Sequence, residues 1–313
     1  MGVPQGSCLS NTLFSLLLND LPSAISEAEI YMYADDVAAV VTAPTSYELE
    51  QKLNYTVQRL EWWFRLNGLA LNREKTMFIV FQLNGASPPP YLVTVDDHTP
   101  LQIVQTTKLL GFHIDSALTW GYHIDELCSK LGRAHFALRR LASTASRSAV
   151  ISCYFATVHS LLTYGVELWA RAADAGRAFR MQKKAVRAIV GASDDAPCKE
   201  LFKELNIMPL PCELIYQVAL FTHKNLDAFR QRGVNPYRAM RSNKLAHLLV
   251  TPKHDLRKSE RSVYVMGPSV YNRLPDAIKI DATSIVAFRL KLRKWLLDHA
   301  FYSLDEFYEL PTQ

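Results

Sequence analysis

The residues best suited to chemistry are Asp35 and Asp36, adjacent carboxylates in the run Tyr33-Ala34-Asp35-Asp36. Side by side they repel unless a cation neutralises them. Magnesium, which takes one or two carboxylates together with substrate phosphates, is the natural partner, with manganese the alternative. Taken alone, the pair also reads as an ordinary Asp-rich β-turn, where aspartate is favoured for bonding its own backbone. A second signal is basic. Arg177, Arg180, Lys184 and Arg187 recur at three- to four-residue steps, and Lys130 and Arg133 precede them. Four like charges in three turns repel, so phosphate binding competes with a merely solvated face. The nine histidines show no H-x-x-x-H spacing, which counts against a metal-dependent phosphodiesterase built on them.

The elements that must position these groups can be read from periodicity. Ser7 or Ser10 is placed to cap a helix carrying Leu9, Leu13, Leu16 and Leu17. Ile30–Tyr33 and Val37–Val41 are short strand runs, so the aspartates fall at a hairpin turn. Ser46 opens a long amphipathic helix with the stripe Leu49, Leu53, Val57, Leu60 and Phe64, closed by Asn67-Gly68. Further strands are expected at Met77–Phe81, at a hairpin joining Tyr91–Val95 to Leu101–Val104, and at Lys108–Ile114, where Gly111 marks a bulge or a close backbone approach. From about Tyr122 the pattern is helical, with segments expected near 122–142, 148–170, 176–190, after Pro211 and after Ser284. Helices and strands mixed without regular βαβ units predict an α+β fold.

Composition narrows the class. A chain of 313 residues with 49% hydrophobic and 21% charged side chains has a packed core and is not mainly disordered. No apolar run approaches the ~20 residues of a membrane span. Five scattered cysteines without a C-x-x-C pair, and no basic, apolar leader at Met1, point to an intracellular chain, nuclear or cytoplasmic, that is not secreted. Residues 1–105 carry a net charge of −6 and residues 106–313 a net charge of +11. An acidic first third before a basic remainder suggests a polyanion held by the C-terminal part.

The order of four motifs is more specific than any one of them. Gly2-Val3-Pro4-Gln5-Gly6-Ser7 stands about 30 residues before the aspartates. Asn67-Gly68-Leu69, with Asn72-Arg73-Glu74-Lys75-Thr76, follows them, and then comes Leu109-Leu110-Gly111-Phe112. In this order they resemble the reverse transcriptases of non-LTR, LINE-type, jockey-like retrotransposons, and Val270-Tyr271-Asn272-Arg273-Leu274-Pro275 resembles their C-terminal region.

The resemblance implies an RNA-directed DNA polymerase, using an RNA template, a DNA primer and deoxynucleoside triphosphates in target-primed reverse transcription. It assigns Asp35 to the catalytic metal ions and Asp36 to a neighbouring, less direct role. Gln5 and Gly6 would shape the template and nucleotide pocket, Lys75 would lie near the triphosphate, and Leu110 and Gly111 would grip the primer end. It further implies a partial palm over 1–118, an antiparallel sheet with helices. A helical thumb-like region over 119–208 and a basic helical C-terminal region over 209–313 would follow, and Lys130, Arg133, Arg177, Arg180, Lys184 and Arg187 would track the nucleic-acid backbone.

The departures from that family matter as much. Its further metal-binding aspartate lies on a strand before the Gly2-Val3-Pro4-Gln5 loop, so the fingers, that strand and the endonuclease portion are expected upstream in a parent polyprotein, and this chain alone is expected to be inactive. Asn11 stands where the family has proline. The alternative is a non-catalytic RNA- or DNA-binding protein derived from such an element.

Overall fold

Two units divide the chain between Leu118 and Thr119. The computed structural model describes residues 7–81, 90–95, 100–232, 248–253, 258–279 and 284–310. Among these, no helix is long and apolar enough to cross a membrane.

In the first unit, α1 (Ser10–Leu18) leads into the short α2 (Leu21–Ala24). No serine caps α1. Leu9 is the N-cap, and the Ser7 hydroxyl instead accepts from the Leu9 amide at 3.3 Å. The leucine stripe is also turned outward: Leu9, Leu13 and Leu16 are each at least half exposed. Leu18 packs instead with Leu21, Ile25 and Trp63, joined by Phe14. Strands β1 (Glu29–Tyr33) and β2 (Asp36–Val40) form an antiparallel hairpin, as the sequence predicts. In α3 (Ser46–Leu66) Thr45 rather than Ser46 is the cap, its Oγ1 accepting from the Glu48 amide at 3.2 Å. The helix ends at Asn67, ahead of Gly68 at φ +68°.

The strand runs after α3 are shorter than expected. Met77–Phe81 reduces to β3 (Met77–Phe78), paired in parallel with β4 (Gln102–Ile103). The Tyr91–Val104 hairpin reduces to one antiparallel bridge, Thr94 with Pro100, and its turn at Asp96-Asp97-His98 lies outside the described residues. Side chains of α3 take the place of a partner strand. Asn54 donates to the Leu92 carbonyl at 2.8 Å and accepts from the Thr94 amide at 3.0 Å, and Glu50 accepts from the Leu92 amide at 3.1 Å. Lys108–Ile114 is not one strand but a hairpin, β5 (Thr106–Leu109) with β6 (Phe112–Asp115).

The second unit is helical. In α4 (Gly121–Ala142) Ile124, Leu127, Leu131 and Leu138 are buried at helical spacing, with His123 beside them, while Leu141 at the end of the same stripe is only half-buried. The expected helix over 148–170 is interrupted: α5 (Arg147–Tyr154) passes through a π-helical turn, Phe155–His159, into α6 (Ser160–Thr163), and Gly165 at φ +54° separates α7 (Val166–Trp169). Next, α8 (Ala175–Val190) packs on α4 as the most extensive helix pair, and its Ala178 and Ala185 are buried. The remaining helices are α9 (Lys199–Glu204), α10 (Leu210–Lys224), α11 (Leu226–Arg232), α12 (Val263–Arg273), α13 (Asp276–Lys279), α14 (Ile285–His299) and α15 (Leu304–Tyr308). Ser284 caps α14, accepting from the Ala287 amide at 3.2 Å. Gly267 lets α12 approach α10, since a Cβ there would come within 2.5 Å of Thr222 Oγ1. Across residue 208, where the sequence suggests a boundary, packing is continuous through Gln182 of α8, which bonds Met208 and Leu210. Small, mainly antiparallel sheets beside helices make the fold α+β.

One buried group gives this unit a pH dependence. Glu213 of α10 is 2% exposed and lies 3.5 Å from Nδ1 of His159, on the π-helical turn. Burial raises the carboxyl from its ordinary 4.5 to about 8, against the pull of the nearby Arg293 cation. Burial first, then Arg293, holds the His159 imidazole below its ordinary range. At neutral pH the contact is therefore between neutral partners and is not an ion pair. Folded Glu213 binds a proton that the unfolded chain has released, so its contribution to stability is complete below about pH 4.5 and is lost as pH rises through about 8. His159 acts oppositely, its neutral folded form losing stability as pH falls below its ordinary 6.5. The expected outcome is a melting temperature that falls from pH 7 to pH 9, with Glu213→Gln flattening that slope; thermal denaturation across the range checks it.

Candidate functional site

The Asp35–Asp36 hairpin is tight. Tyr33 pairs with Asp36, leaving Ala34 and Asp35 as a two-residue turn. Ala34 sits at φ +51°, a conformation that costs an L-residue roughly 1–2 kcal/mol and that glycine adopts freely. Tyr33, Asp35 and Asp36 are exposed, and among the described residues neither aspartate side chain makes an ion pair or hydrogen bond. Two adjacent exposed carboxylates at the end of a hairpin are suited to a hard cation.

Lys75 lies in a turn built by Asn72. The Asn72 side-chain oxygen accepts from the Lys75 amide at 3.2 Å, and its carbonyl accepts from the Thr76 amide at 2.9 Å. Arg73 ties this turn to α3 through Glu61 at 2.8 Å. The Lys75 ammonium is exposed, and no ion pair joins it to Asp35 or Asp36 among the described residues. Gln5 and Gly6 lie outside the described residues.

Leu110 and Gly111 form the turn of the β5–β6 hairpin, at φ +48° and +84°. Positive φ at both central positions is the type I′ arrangement, whose twist matches the flanking strands and which favours asparagine before glycine. Leucine is a poor choice there, and that hid the turn in the sequence.

The basic residues do not act as one face. Arg177 pairs with Asp125 of α4 at 2.5 Å, Lys130 pairs with Glu126 at 2.7 Å, and Arg187 donates to the Ala196 carbonyl at 2.8 Å. Arg133, Arg180 and Lys184 remain exposed. Burial first, then the Arg139 and Lys184 cations, push the His135 imidazole below its ordinary range. One participant escaped sequence reasoning. Phe136 is exposed on α4 between Arg133 and Arg140, with the Arg140 guanidinium 5.8 Å over its ring. The i, i+3, i+7 spacing of 133, 136 and 140 was the available signal.

Residues 1–114 match the reverse transcriptase (RNA-dependent DNA polymerase) family. The chain is also similar to RNA-directed DNA polymerases of transposons and mobile elements. It is 25% identical over 240 residues to a probable RNA-directed DNA polymerase from transposon X-element of Drosophila melanogaster, covering 74% of this chain and 26% of the relative. It is 26% identical over 268 residues to a probable RNA-directed DNA polymerase from transposon BS of the same organism, covering 80% of this chain and 30% of the relative. It is 24% identical over 222 residues to the RNA-directed DNA polymerase from mobile element jockey, covering 67% and 24%. The chain thus spans roughly a quarter to a third of the length of these relatives. No solved structure matches it.

Because the β5–β6 turn sets an exposed leucine at positive φ, Leu110→Asn is expected to stabilise the first unit by about 0.5–1 kcal/mol. The midpoint of urea unfolding, followed by a probe confined to residues 1–118, measures this.

Proposed function

We propose that this chain is a segment of a non-LTR retrotransposon RNA-directed DNA polymerase. It presents the metal-binding hairpin and holds nucleic acid with its helical unit. The observation that carries the reading is the hairpin itself, with two adjacent carboxylates that have no counter-ion among the described residues, at the end of a strained two-residue turn inside the segment that matches the family. Asp35 is the metal ligand and Asp36 its neighbour; Lys75 serves the triphosphate of the incoming deoxynucleotide; Gln5 and Gly6 flank the template and nucleotide; Leu110 and Gly111 contact the primer end. Arg133, Arg180 and Lys184 hold the phosphates of an RNA template and DNA primer, with Lys130, Arg177 and Arg187 beside them.

Two exposed carboxylates fit one edge of a magnesium or manganese site, where the rest of the coordination shell belongs to phosphate oxygens and water. When bound, the ion supplies Lewis-acid stabilisation of the charge that develops in phosphoryl transfer. The protein's part is to fix the carboxylates and to neutralise phosphates through Lys75. A two-metal site takes more than this pair, and among the described residues no three metal-ligating side chains gather. On this reading the isolated chain extends no primer. The cation–aromatic face at Arg133, Phe136 and Arg140 favours a second reading, a non-catalytic RNA- or DNA-binding protein derived from such an element.

Titrating an RNA–DNA hybrid against salt tests the binding half. Affinity should fall with salt, and Arg180→Ala with Lys184→Ala should reduce the log–log slope by about two, while Asp35→Asn leaves it unchanged. Salt-independent binding removes the nucleic-acid reading. Primer extension with magnesium should stay at background, and extension abolished by Asp35→Asn would show a self-sufficient polymerase instead.

A further inference from the structure

The second unit contains a cleft of about 350 Å³ that the polymerase reading does not use. It opens among the start of α8, the first turn of α10 and α15. Three rings, Phe179, Tyr302 and Tyr308, line it together with Arg171, Asp305 and the bare backbone of Gly176. Cations sit over these rings: Arg273 is 5.5 Å above Tyr308, and Lys183 is 5.0 Å above Phe179. Lys199 lies 5.9 Å from the Tyr302 ring. The Tyr302 hydroxyl is buried and has no hydrogen-bond partner.

The chemistry of the walls selects the ligand. Aromatic walls and a volume in the range of small-molecule sites call for a flat, apolar-faced guest. A plain hydrocarbon would leave the Tyr302 hydroxyl unsatisfied and offer nothing to the Asp305 carboxylate. A free anion would meet the Asp305 carboxylate. A planar heteroaromatic ring with an exocyclic amine answers all of these: its faces stack, its amine donates to Asp305, and its ring acceptors suit hydroxyl and guanidinium donors. Residues 119–313 carry a net charge of +11, the field that attracts a phosphate backbone. We propose that the cleft receives an unpaired, amine-bearing nucleobase of a single-stranded nucleic acid whose backbone runs over the basic surface. This rests on the nucleic-acid reading of the second unit and adds a base-holding subsite to it.

Gly176 allows a clean test. A Cβ built there meets no atom within 4 Å, so Gly176→Leu adds bulk at the cleft wall with room for its first carbon and also raises helix propensity. The probes are an adenosine dodecaribonucleotide and a ribose-phosphate strand of the same length without bases, measured by fluorescence anisotropy with the full chain. The wild type should bind the adenosine strand about tenfold more tightly than the abasic one, the scale of one stacked base. Gly176→Leu, with an unreduced melting temperature, should bind both strands alike at the abasic affinity, and Tyr308→Leu should shrink the preference in the same direction. Equal wild-type affinities, or a preference that survives Gly176→Leu, would overturn the proposal while leaving salt-dependent backbone binding intact. Failure to bind either strand would overturn the nucleic-acid reading as well.

Discussion

Gln182 has no exposed surface, and its amide is tied in three directions. Nε2 donates to the Tyr154 hydroxyl at 3.0 Å and to the Met208 carbonyl at 2.9 Å, while Oε1 accepts from the Leu210 amide at 2.8 Å. The Leu210 amide is one of the donors that the start of a helix leaves without an internal partner, so a side chain of α8 caps α10 across the core. Shortening Gln182 would strand a hydroxyl, a carbonyl and an amide in a dry interior, where each unmet group costs about 1–3 kcal/mol. The placement of α5, α8 and the entry to α10 hangs on this amide, and so does the shape of the cleft beside Leu210 and Pro211.

The first unit is built differently. Its apolar residues divide into two small clusters, one around Trp63 and one around Val93, Val95 and Leu101. Between them the chain is held by polar side chains of α3 that substitute for a strand, and much apolar surface stays exposed on α1 and on the Tyr31–Tyr33 strand. Its two two-residue hairpins depend on non-glycine residues at positive φ, Ala34 and Leu110. Backbone strain of this kind persists where the surroundings over-determine it, and it clusters at functional positions. Here it lies beside Asp35 in one hairpin and forms the Leu110-Gly111 tip in the other.

What could be read from the sequence was what rests on local chemistry. The Tyr33–Asp36 turn, the long helix closed by Asn67-Gly68, and the buried stripe of α4 follow from spacing and from residue types that act over a few positions. Spacing alone cannot say which face meets a core. Leu9, Leu13 and Leu16 have helical periodicity yet point outward, because Leu21, Ile25 and Trp63 gather on the side of Leu18. Trp63 rather than Phe64 is the buried aromatic of α3 for the same reason. The turn at Leu110 was hidden by an atypical residue. The basic face of α8 was divided by tertiary partners, Asp125 and the Ala196 carbonyl, which no periodicity reveals. At the candidate site, the aspartate pair stood out in the sequence, whereas Phe136 became a candidate only once its exposure was known.

The π-helical turn at Phe155–His159 bears on how the chain encodes its own winding. The fully buried positions along α5, this turn and α6 are Val150, Tyr154, Val158 and Leu162, spaced by four residues. An α-helix turns once in 3.6 residues, so a step of four overshoots by about 40°, and a stripe with that period drifts off the core within a few turns. The wider π turn winds less per residue and brings the stripe back. A strict four-residue apolar period is thus an instruction to underwind, written in the primary structure at the place where the helix obeys it.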